Sequence, residues 1–477
     1  MKKTIFTIVG ILALNLFNSC SDDILDLKPP YEETLDDAIK TENDVNKFLL
    51  GSYLKTSSSS LYGANFFYFG DLLGDTFFRS NKHNGGFTSL VIMNYDPNNT
   101  GEISFYRSAY DAIQNTGFVI NNELEDTQLN KQYKGEARFL RAINYFNLLN
   151  YYASSPKSGQ FQELGVPIAG YPYNADNKIA RSSVADVYKL IIEDLNYAIE
   201  NTNAVPSSKI YASKTAAKLL LSRVYLTRQN QGDAQLAFNL SNEIVNNSPA
   251  SFAPITNDKY ENYFASNNDE LAENQPETVW ELDLNSQNNP GVNLSLSVFY
   301  SRTGSKKGLL AKESFYKTFE STDARRVLLT NQSVPTEDNP KGYWMKKFER
   351  ASSGGNYTRN NKILRFSEAY LNRIEALYQL GNNTEALLKL NEFALSRKGN
   401  TYTGANLLSD ILTERNKEFF GEGQRFLDLK RYNLPIAKGT NCPGNCDVPA
   451  GSKYFVFPYS NSQLIINELA VQHPLWK

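Results

Sequence analysis

Residues 368–394 read EAYLNRIEALYQLGNNTEALLKLNEFA, and residues 218–245 read KLLLSRVYLTRQNQGDAQLAFNLSNEIV. In the first stretch Gly381 precedes Ala386 by five residues, and an Asn-Glu-Phe triplet begins five residues later. In the second stretch Gly232 stands at the same distance before Ala237, and an Asn-Glu-Ile triplet follows at the same step. Matching landmarks at matching spacing indicate that one structural unit of about 30 residues occurs twice.

This unit has the chemistry of a helical hairpin. A glycine in the turn permits a left-handed backbone, and a small alanine lets the two helices approach closely. We therefore predict a mainly α protein, a tetratricopeptide-like superhelix of helical hairpins. Because a long piece of chain separates the two copies, the scaffold is predicted to be split, at about residues 36–248 and 361–477, around an insertion at about 249–360.

Other segments support the helical scaffold. Residues 181–200, RSSVADVYKLIIEDLNYAIE, place apolar side chains at three- and four-residue steps, and Ser183 followed by Asp186 resembles a capping box. Residues 135–152, GEARFLRAINYFNLLNYY, predict another long helix, and residues 103–124 before it predict an antiparallel partner.

The insertion differs from the scaffold in composition, since it is rich in Asn, Ser, Gly and Pro. Residues 278–284, TVWELDL, and residues 294–301, LSLSVFYS, each predict a short strand, and Trp280 is expected to pack in the core. Residues 57–102 are equally irregular and aromatic. Because loops on a rigid frame commonly carry binding residues, both irregular stretches are candidate ligand-binding regions.

The first twenty residues, MKKTIFTIVGILALNLFNSC, have the regions of an export signal. Two lysines precede an apolar run of about 14 residues, which is shorter than the roughly 20 that a membrane-spanning helix needs. Leu16, Ser19 and Cys20 have the spacing at which bacterial lipoprotein signals are cut before a lipid-bearing cysteine. We predict a signal peptide over residues 1–19 and a lipid anchor at Cys20; an ordinary secreted protein with a free thiol is the alternative.

Charge and motif content exclude several classes of function. A formal net charge of −2, without a Lys/Arg-rich run, gives no electrostatic footprint for nucleic acid. The usual nucleophile, zinc and phosphate-binding motifs are absent from the sequence, and the two histidines, His83 and His473, are isolated from one another. Cys442 and Cys446 in NCPGNC flank a tight turn, and we expect a disulfide between them because an exported chain meets an oxidising compartment.

The most charged segment is residues 411–433, ILTERNKEFFGEGQRFLDLKRYN. Glu414 and Glu418 could be a catalytic acid pair, but their basic neighbours one or two helical turns away favour a structural network of ion pairs. Gly421 and Gly423 are expected to end that helix, and Asp428 lies one turn before an arginine on the next helix.

This segment also resembles the hallmark of the SusD/RagB family of outer-membrane nutrient-binding lipoproteins, an E-R-x-x-E-[FL]-x-x-E-G-x-R-x-x-D-L-x-R pattern. The matching positions are Arg415, Glu418, Glu422, Gly423, Arg425, Asp428 and Arg431. Other blocks, among them YKGEARFLRAINYFNLLNYY and ILRFSEAYLNRIEALYQLGN, are similar to family blocks in the same order. The resemblance spans nearly the whole chain after Cys20.

The resemblance implies a lipid-anchored protein exposed on the outer membrane, docked on a SusC-like TonB-dependent transporter. Such a protein captures a nutrient glycan, delivers it to the transporter and does not cleave it. A peptide ligand is the alternative within the family, and a glycoside-active enzyme or a helical-repeat interaction scaffold is less favoured. The resemblance implies neither a cofactor nor a metal.

The ligand-contacting residues are expected in the two irregular stretches. Sugar capture needs aromatic faces for stacking and planar polar groups for hydrogen bonds to hydroxyls. The candidates of these residue types are Phe78, Tyr95, Asn98, Phe299, Tyr300, Arg302 and Trp344.

The lipid anchor gives a direct prediction. Cys20→Ala should abolish both incorporation of labelled palmitate and retention in the membrane fraction, because acyl chains supply the membrane affinity at ~0.8 kcal/mol per buried methylene. Metabolic labelling and cell fractionation measure the two effects. Persistence of label and retention in this variant would exclude Cys20 as the anchor.

Overall fold

The computed structural model describes residues 38–83, 86–103, 105–174, 176–302, 308–329, 331–348 and 357–477. The signal peptide over residues 1–19 and Cys20 lie outside the described residues. Most regular structure is helical. The helices are α1 (Glu42–Thr56), α2 (Asn65–Leu73), α3 (Thr88–Val91), α4 (Tyr106–Ile120), α5 (Gln128–Tyr152), α6 (Val184–Asn201), α7 (Lys214–Arg228), α8 (Asp233–Asn247), α9 (Tyr260–Ala265), α10 (Gly291–Leu294), α11 (Leu296–Tyr300), α12 (Glu313–Tyr316), α13 (Phe366–Gln379), α14 (Asn383–Ser396), α15 (Leu407–Phe419), α16 (Arg425–Arg431) and α17 (Asn461–Ile466).

The strands are short. They are β1 (Phe77–Arg79), β2 (Thr278–Leu282), β3 (Leu309–Lys312), β4 (Asn331–Gln332), β5 (Gly342–Trp344), β6 (Asn361–Arg365), β7 (Ile436–Ala437) and β8 (Asp447–Val448). Single 3-10 turns lie at Pro156–Ser158, Asn257–Lys259, Asp269–Leu271, Ala324–Leu328, Lys453–Phe455 and Pro474–Trp476. The mainly α class with a few short strands is confirmed.

Both predicted hairpins are present. Gly232 between α7 and α8 has a φ of +87°, and Gly381 between α13 and α14 has a φ of +80°. Each is therefore left-handed, a conformation that costs glycine little and other residues more. Ala237 and Ala386 are fully buried on the second helix of each hairpin. These observations confirm the turn and close-packing roles assigned to the four residues.

The two hairpins pack against one another although the insertion separates them in sequence. Helix α8 of the first lies against α13 of the second. Arg223 on α7 donates from Nε and Nη2 to the two carboxylate oxygens of Glu368 on α13, at 2.6 Å each. Asn372 Nδ2 donates to Ser222 Oγ nearby, at 3.0 Å. The repeats thus form adjacent layers of one helical scaffold.

The rest of the scaffold also matches its sequence signals. Helices α4, α5, α6 and α7 pack in succession, each against the next. Ser183 is the N-cap of α6, and its Oγ accepts a hydrogen bond from Asp186 N at 3.0 Å. Within the described residues, we find no helix whose length and apolar character would let it cross a bilayer.

One of the two strands predicted in the insertion is correct. Residues Thr278–Leu282 form β2, which pairs antiparallel with β6 at the far end of the insertion. Trp280 is fully buried as predicted, and its Nε1 donates to Ile210 O at 3.1 Å. This pairing brings the two ends of the insertion together where the scaffold resumes.

The strand predicted for residues 294–301 is wrong, because Leu296–Tyr300 form the short helix α11. Every residue of α11 is buried. The strand β2 is also buried at every residue, so a short segment in such surroundings can be helix or strand and its pattern does not decide between them. Tyr68 Oη fixes the start of the helix by donating to Ser295 O at 2.9 Å.

A second sheet connects the two irregular stretches. Its strand order is β1-β3-β5-β4, and every neighbouring pair is antiparallel. Since β1 belongs to the stretch 57–102 and the other three strands to the insertion, the sheet makes one structural unit of both.

The disulfide closes a turn of the C-terminal region that contacts that unit through hydrogen bonds. Cys442 and Cys446 are bonded in the structure, with Cα atoms 5.7 Å apart. From the same turn Asn445 Nδ2 donates to Met93 O at 2.9 Å, and Asn441 Nδ2 donates to Pro340 O at 2.9 Å. The turn thus contacts both irregular stretches.

The charged segment forms buried ion pairs. Glu418 on α15 accepts from Arg365 Nη1 at 2.9 Å, Arg397 Nε at 3.3 Å and Arg325 Nη1 at 3.4 Å. Arg325 also pairs with Glu414 at 2.7 Å. The predicted structural role of these carboxylates is confirmed, but the predicted partners are wrong: Glu414 and Glu418 pair with arginines outside residues 411–433, among them Arg325 of the insertion, and not with the neighbouring basic residues.

Glu418→Gln should destabilise the fold by about 3–5 kcal/mol, because it leaves buried guanidinium groups without their shared carboxylate. Glu261→Gln is a matched control, since Glu261 pairs with Lys346 at 2.7 Å but is half exposed, and we expect less than about 1 kcal/mol there. Urea unfolding monitored by circular dichroism measures both. Equal midpoint shifts in the two variants would contradict the central role of Glu418.

The buried Glu418 carboxylate also predicts that the free energy of unfolding depends on pH. Burial alone would raise the pKa of Glu418, but Arg397, Arg365 and Arg325 outweigh burial and hold the pKa well below its usual range. The unfolded chain then binds the proton first, so the stabilisation from Glu418 is complete above about pH 4.3 and is lost as the pH falls further. The difference in stability between the wild type and Glu418→Gln should therefore be constant from pH 6 to about pH 4.3 and should narrow progressively below it, which unfolding measured between pH 3 and 6 tests.

Candidate functional site

An aromatic cluster lies where α2, α3 and α11 meet. The Phe299 ring lies 4.7 Å from Tyr68 and 4.9 Å from Phe87 between ring centroids, and His83 stacks on Phe299 at 5.9 Å. Tyr68 also contacts Phe87 at 5.0 Å. We call Tyr68, His83, Phe87 and Phe299 the aromatic cluster. It combines residues from both irregular stretches.

Phe299 and Tyr300 support this cluster from inside. Both side chains are buried. Tyr300 Oη donates to Asp71 Oδ2 at 2.5 Å, and Gly423 N donates to the other oxygen of Asp71 at 3.2 Å. Burial raises the pKa of Asp71 to about 7, partly offset by these two hydrogen bonds. In this conformation neither ring has a face open to a ligand, and Tyr300 connects the cluster to the glycine-rich turn after α15.

Phe78 and Trp344 lie on one face of the four-stranded sheet. Both are buried, and together with Leu310 they form a small hydrophobic core. Gly342 faces the Phe78 ring so closely that a Cβ there would lie 2.6 Å from it. The two rings therefore serve to pack the sheet in this structure.

Tyr95 and Asn98 lie elsewhere, against the C-terminal segment. Tyr95 is buried, with its ring centroid 5.2 Å from Phe457 and 5.8 Å from Trp476. Asn98 is exposed, and its Oδ1 accepts from Asn461 Nδ2 at 2.6 Å. The seven ligand-binding candidates thus lie in three separate places. Phe299 and Tyr300 contact Tyr68 of the aromatic cluster, and the exposed Arg302 follows them in sequence.

Sequence reasoning missed Phe87. Its side chain is half-buried, and its backbone is left-handed, with a φ of +58° and a ψ of +21°. Arg79 Nη1 holds the backbone before it by donating to Gly86 O at 2.7 Å. A bulky residue in this region of φ/ψ space is strained, and such strain is common at binding sites. The available signal was an aromatic residue directly after two glycines.

Exposed side chains border the aromatic cluster. Asn293 and Leu294, in and at the end of α10, are exposed. The Tyr68 hydroxyl of the cluster donates to Ser295 O and lies 3.2 Å from Leu294 O. Arg302 follows α11 by two residues and is exposed. We call Phe87, Asn293, Leu294 and Arg302 the loop rim. Its side chains offer an aromatic face, an amide and a guanidinium. Among the described residues, no three His, Cys, Asp or Glu side chains gather as a metal site would require.

Two family profiles together match most of the chain. One, described as "Starch-binding associating with outer membrane", matches residues 23–226, and the other, described as "SusD family", matches residues 228–463. The chain belongs to the SusD family. The description of the first profile associates its family with the outer membrane.

Several SusD-like proteins are similar over nearly their full length. SusD-like protein P38 of Formosa agariphila is 24% identical over 91% of this chain and 92% of its own. A SusD-like protein of Bacteroides ovatus is 25% identical over 90% of this chain and 82% of its own.

Solved structures of the SusD superfamily have the same fold. The crystal structure of one from Bacteroides thetaiotaomicron superposes with a TM-score of 0.81 at 24% identity, covering 91% of this chain and all of the other. One from Bacteroides vulgatus gives a TM-score of 0.81 at 25% identity, covering 92% of this chain and all of the other. The helical scaffold with its irregular insertion is therefore the SusD architecture.

The burial of Tyr300 predicts the effect of its substitution. Tyr300→Phe should lower the free energy of unfolding by about 1–3 kcal/mol, because the buried Asp71 loses a hydrogen bond. Tyr300→Ala should lower it by about 3–5 kcal/mol by adding a cavity. Thermal unfolding measures both variants. A Tyr300→Ala protein as stable as the wild type would show that the ring does not support the cluster.

Proposed function

We propose that this SusD-family protein captures a nutrient glycan at the loop rim and delivers it, uncleaved, to a SusC-like TonB-dependent transporter in the outer membrane. The observation that carries the site is Phe87, whose strained backbone places a half-buried ring over the aromatic cluster. The ring is thus held rigidly at a surface while part of it remains accessible.

The chemistry of the loop rim suits a sugar. A pyranose ring has C–H-rich faces that stack on an aromatic ring, and its hydroxyls accept and donate hydrogen bonds in the plane of an amide or guanidinium group. Phe87 supplies the first kind of contact, while Asn293 and Arg302 supply the second. The starch-binding description of the matching family profile agrees with a glycan as ligand.

The N-terminal sequence supports a lipid anchor at Cys20, and membership of the SusD family supports a transporter as the partner. Lipid on Cys20 would hold the protein at the membrane, with residues 21–37 joining the anchor to the folded domain that the structure describes from residue 38. A transporter barrel beside this anchor would receive the ligand, and the protein need only bind and release it. A peptide in place of the glycan is the rival outcome of the experiment below.

Phe87→Ala should lower glycan affinity by up to about tenfold, since a stacked aromatic contact contributes about 0.5–1.5 kcal/mol and about 1.4 kcal/mol corresponds to a factor of ten. Arg302→Ala, at an exposed position, should also weaken binding without affecting the fold. Affinity electrophoresis of the mature protein in gels containing amylopectin, xyloglucan, galactomannan, laminarin or levan identifies the ligand, and calorimetry then measures each variant.

Tyr173→Ala is the matched control, because Tyr173 is 71% exposed on a separate loop and should not affect binding. If none of these glycans retards the protein and calorimetry shows binding to a peptide mixture, the ligand is a peptide and not a glycan. Shortening of the retarding glycan during incubation would contradict delivery without cleavage. Unchanged affinity in both Phe87→Ala and Arg302→Ala would remove the loop rim from the site.

A further inference from the structure

A groove runs over the helical scaffold, away from the loop rim. It lies between α1, the first half of α5 and the loop that precedes α7. Two cavities of about 210 Å³ and 260 Å³ form it, and Tyr211 lines both. We call this feature the helical groove. Each cavity alone is smaller than a typical small-ligand site, which begins at about 300 Å³, but the two meet at Tyr211 and together exceed that size.

A relay of hydrogen bonds fixes the floor of the groove. Asn203 Nδ2 donates to Gln132 Oε1 at 3.0 Å, and Gln132 Nε2 donates to Glu136 Oε1 at 3.1 Å. Tyr53 Oη donates to Glu136 Oε2 at 2.6 Å and accepts from Ala212 N at 2.7 Å. Each side chain is thus held in one orientation before any ligand arrives, which reduces the entropy cost of binding.

The charge of the lining favours a neutral ligand. Among the residues that the structure describes, no lysine or arginine lines either cavity. The acidic lining residues are Asp283, at the rim of the smaller cavity, and Glu136, in the larger. Burial raises the pKa of Glu136 to about 7, so much of it is uncharged at neutral pH. An anionic ligand would find no cation to pair with here.

The remaining lining combines aromatic faces with amides and hydroxyls. Tyr133 and Tyr211 are half-buried and line the larger cavity together with Asn46 and Ser207. The smaller cavity is more apolar, with Leu54 of α1 exposed at its edge. Half-exposed tyrosines beside amide groups suit the alternating C–H faces and hydroxyl edges of a sugar chain.

One loop joins the helical groove to the loop rim. Asn288 lines the smaller cavity, and its Nδ2 donates to Ser57 Oγ at the end of α1, at 3.1 Å. A few residues later the same loop reaches Asn293 and Leu294 of the loop rim. A long chain molecule bound at the rim could therefore follow this loop into the groove.

We propose that the helical groove is a second subsite for the same neutral glycan, which takes the part of a long chain that extends beyond the loop rim. This inference rests on the proposed function, because it assumes that the ligand at the rim is a glycan. It adds a dependence on chain length, since only a chain long enough to reach Tyr211 and Tyr133 gains the extra contacts.

The test uses the mature protein and oligosaccharides of graded length, prepared from whichever neutral polysaccharide retards it in affinity electrophoresis. In wild type, affinity measured by calorimetry should rise about tenfold from the shortest bound chains to the longest. Tyr211→Ala, Tyr133→Ala and Leu54→Glu should remove this rise and leave the affinity for the shortest chains unchanged. Leu54→Glu is included because Leu54 is 52% exposed and its substitution does not disturb the core.

Phe87→Ala should have a different effect, since it should lower the affinity for chains of every length. Tyr173→Ala again serves as the control and should match wild type. If wild type binds a glycan but the three groove variants keep its full dependence on chain length, the second subsite is excluded while the proposed function stands. If wild type binds none of the neutral polysaccharides, both the proposed function and the subsite fail.

Discussion

The buried carboxylate of Glu418 is the constraint on which the fold depends. Three arginines converge on it from separate parts of the chain: Arg365 at the end of β6, Arg397 just after α14, and Arg325 in the insertion. Taking these charges out of water costs several kcal/mol per ion, and the cost is offset only while every partner remains in place. The geometry of the network therefore fixes how the insertion sits on the scaffold, since no arrangement that separates the two keeps Glu418 and Arg325 paired.

The same segment also positions the aromatic cluster. The helix ends at Phe419, directly after Glu418, and Gly423, with a φ of +71°, packs its backbone directly on Gly70 of α2. A side chain at either glycine would prevent this contact. Gly423 N then donates to Asp71, which accepts from Tyr300 beneath the aromatic cluster. Charge pairing in the scaffold and the position of the cluster are thus linked through two glycines and one buried carboxyl.

Periodicity and turn chemistry were sufficient to predict the scaffold, because Gly381, Ala386 and their counterparts act through local backbone and packing effects. The ion pair of Asp428 with Arg431 could be predicted from its spacing of one helical turn. The arginines that pair with Glu414 and Glu418 all come from outside residues 411–433, so those pairs depend on the tertiary fold. Residues 294–301 were misread because α11 and β2 are both short and buried at every residue, and the sequence pattern alone does not distinguish a buried helix from a buried strand. Loop composition identified aromatic regions but not the direction in which each ring points, and so Phe78, Tyr95, Phe299, Tyr300 and Trp344 proved to be buried.

The loop from Asp283 to Leu294 can vary in sequence while the fold is kept. One end is held by Asn288 on Ser57 of α1, and the other by Ser295 and Tyr68 of α2. Both anchors belong to the scaffold, whose stability comes from packing and from the Glu418 network and not from the loop. The residues between the anchors are mostly exposed and make few core contacts, so their substitution costs little stability. Because this loop borders both the loop rim and the helical groove, changes at a few of its positions can alter both surfaces together while leaving the arginine network intact.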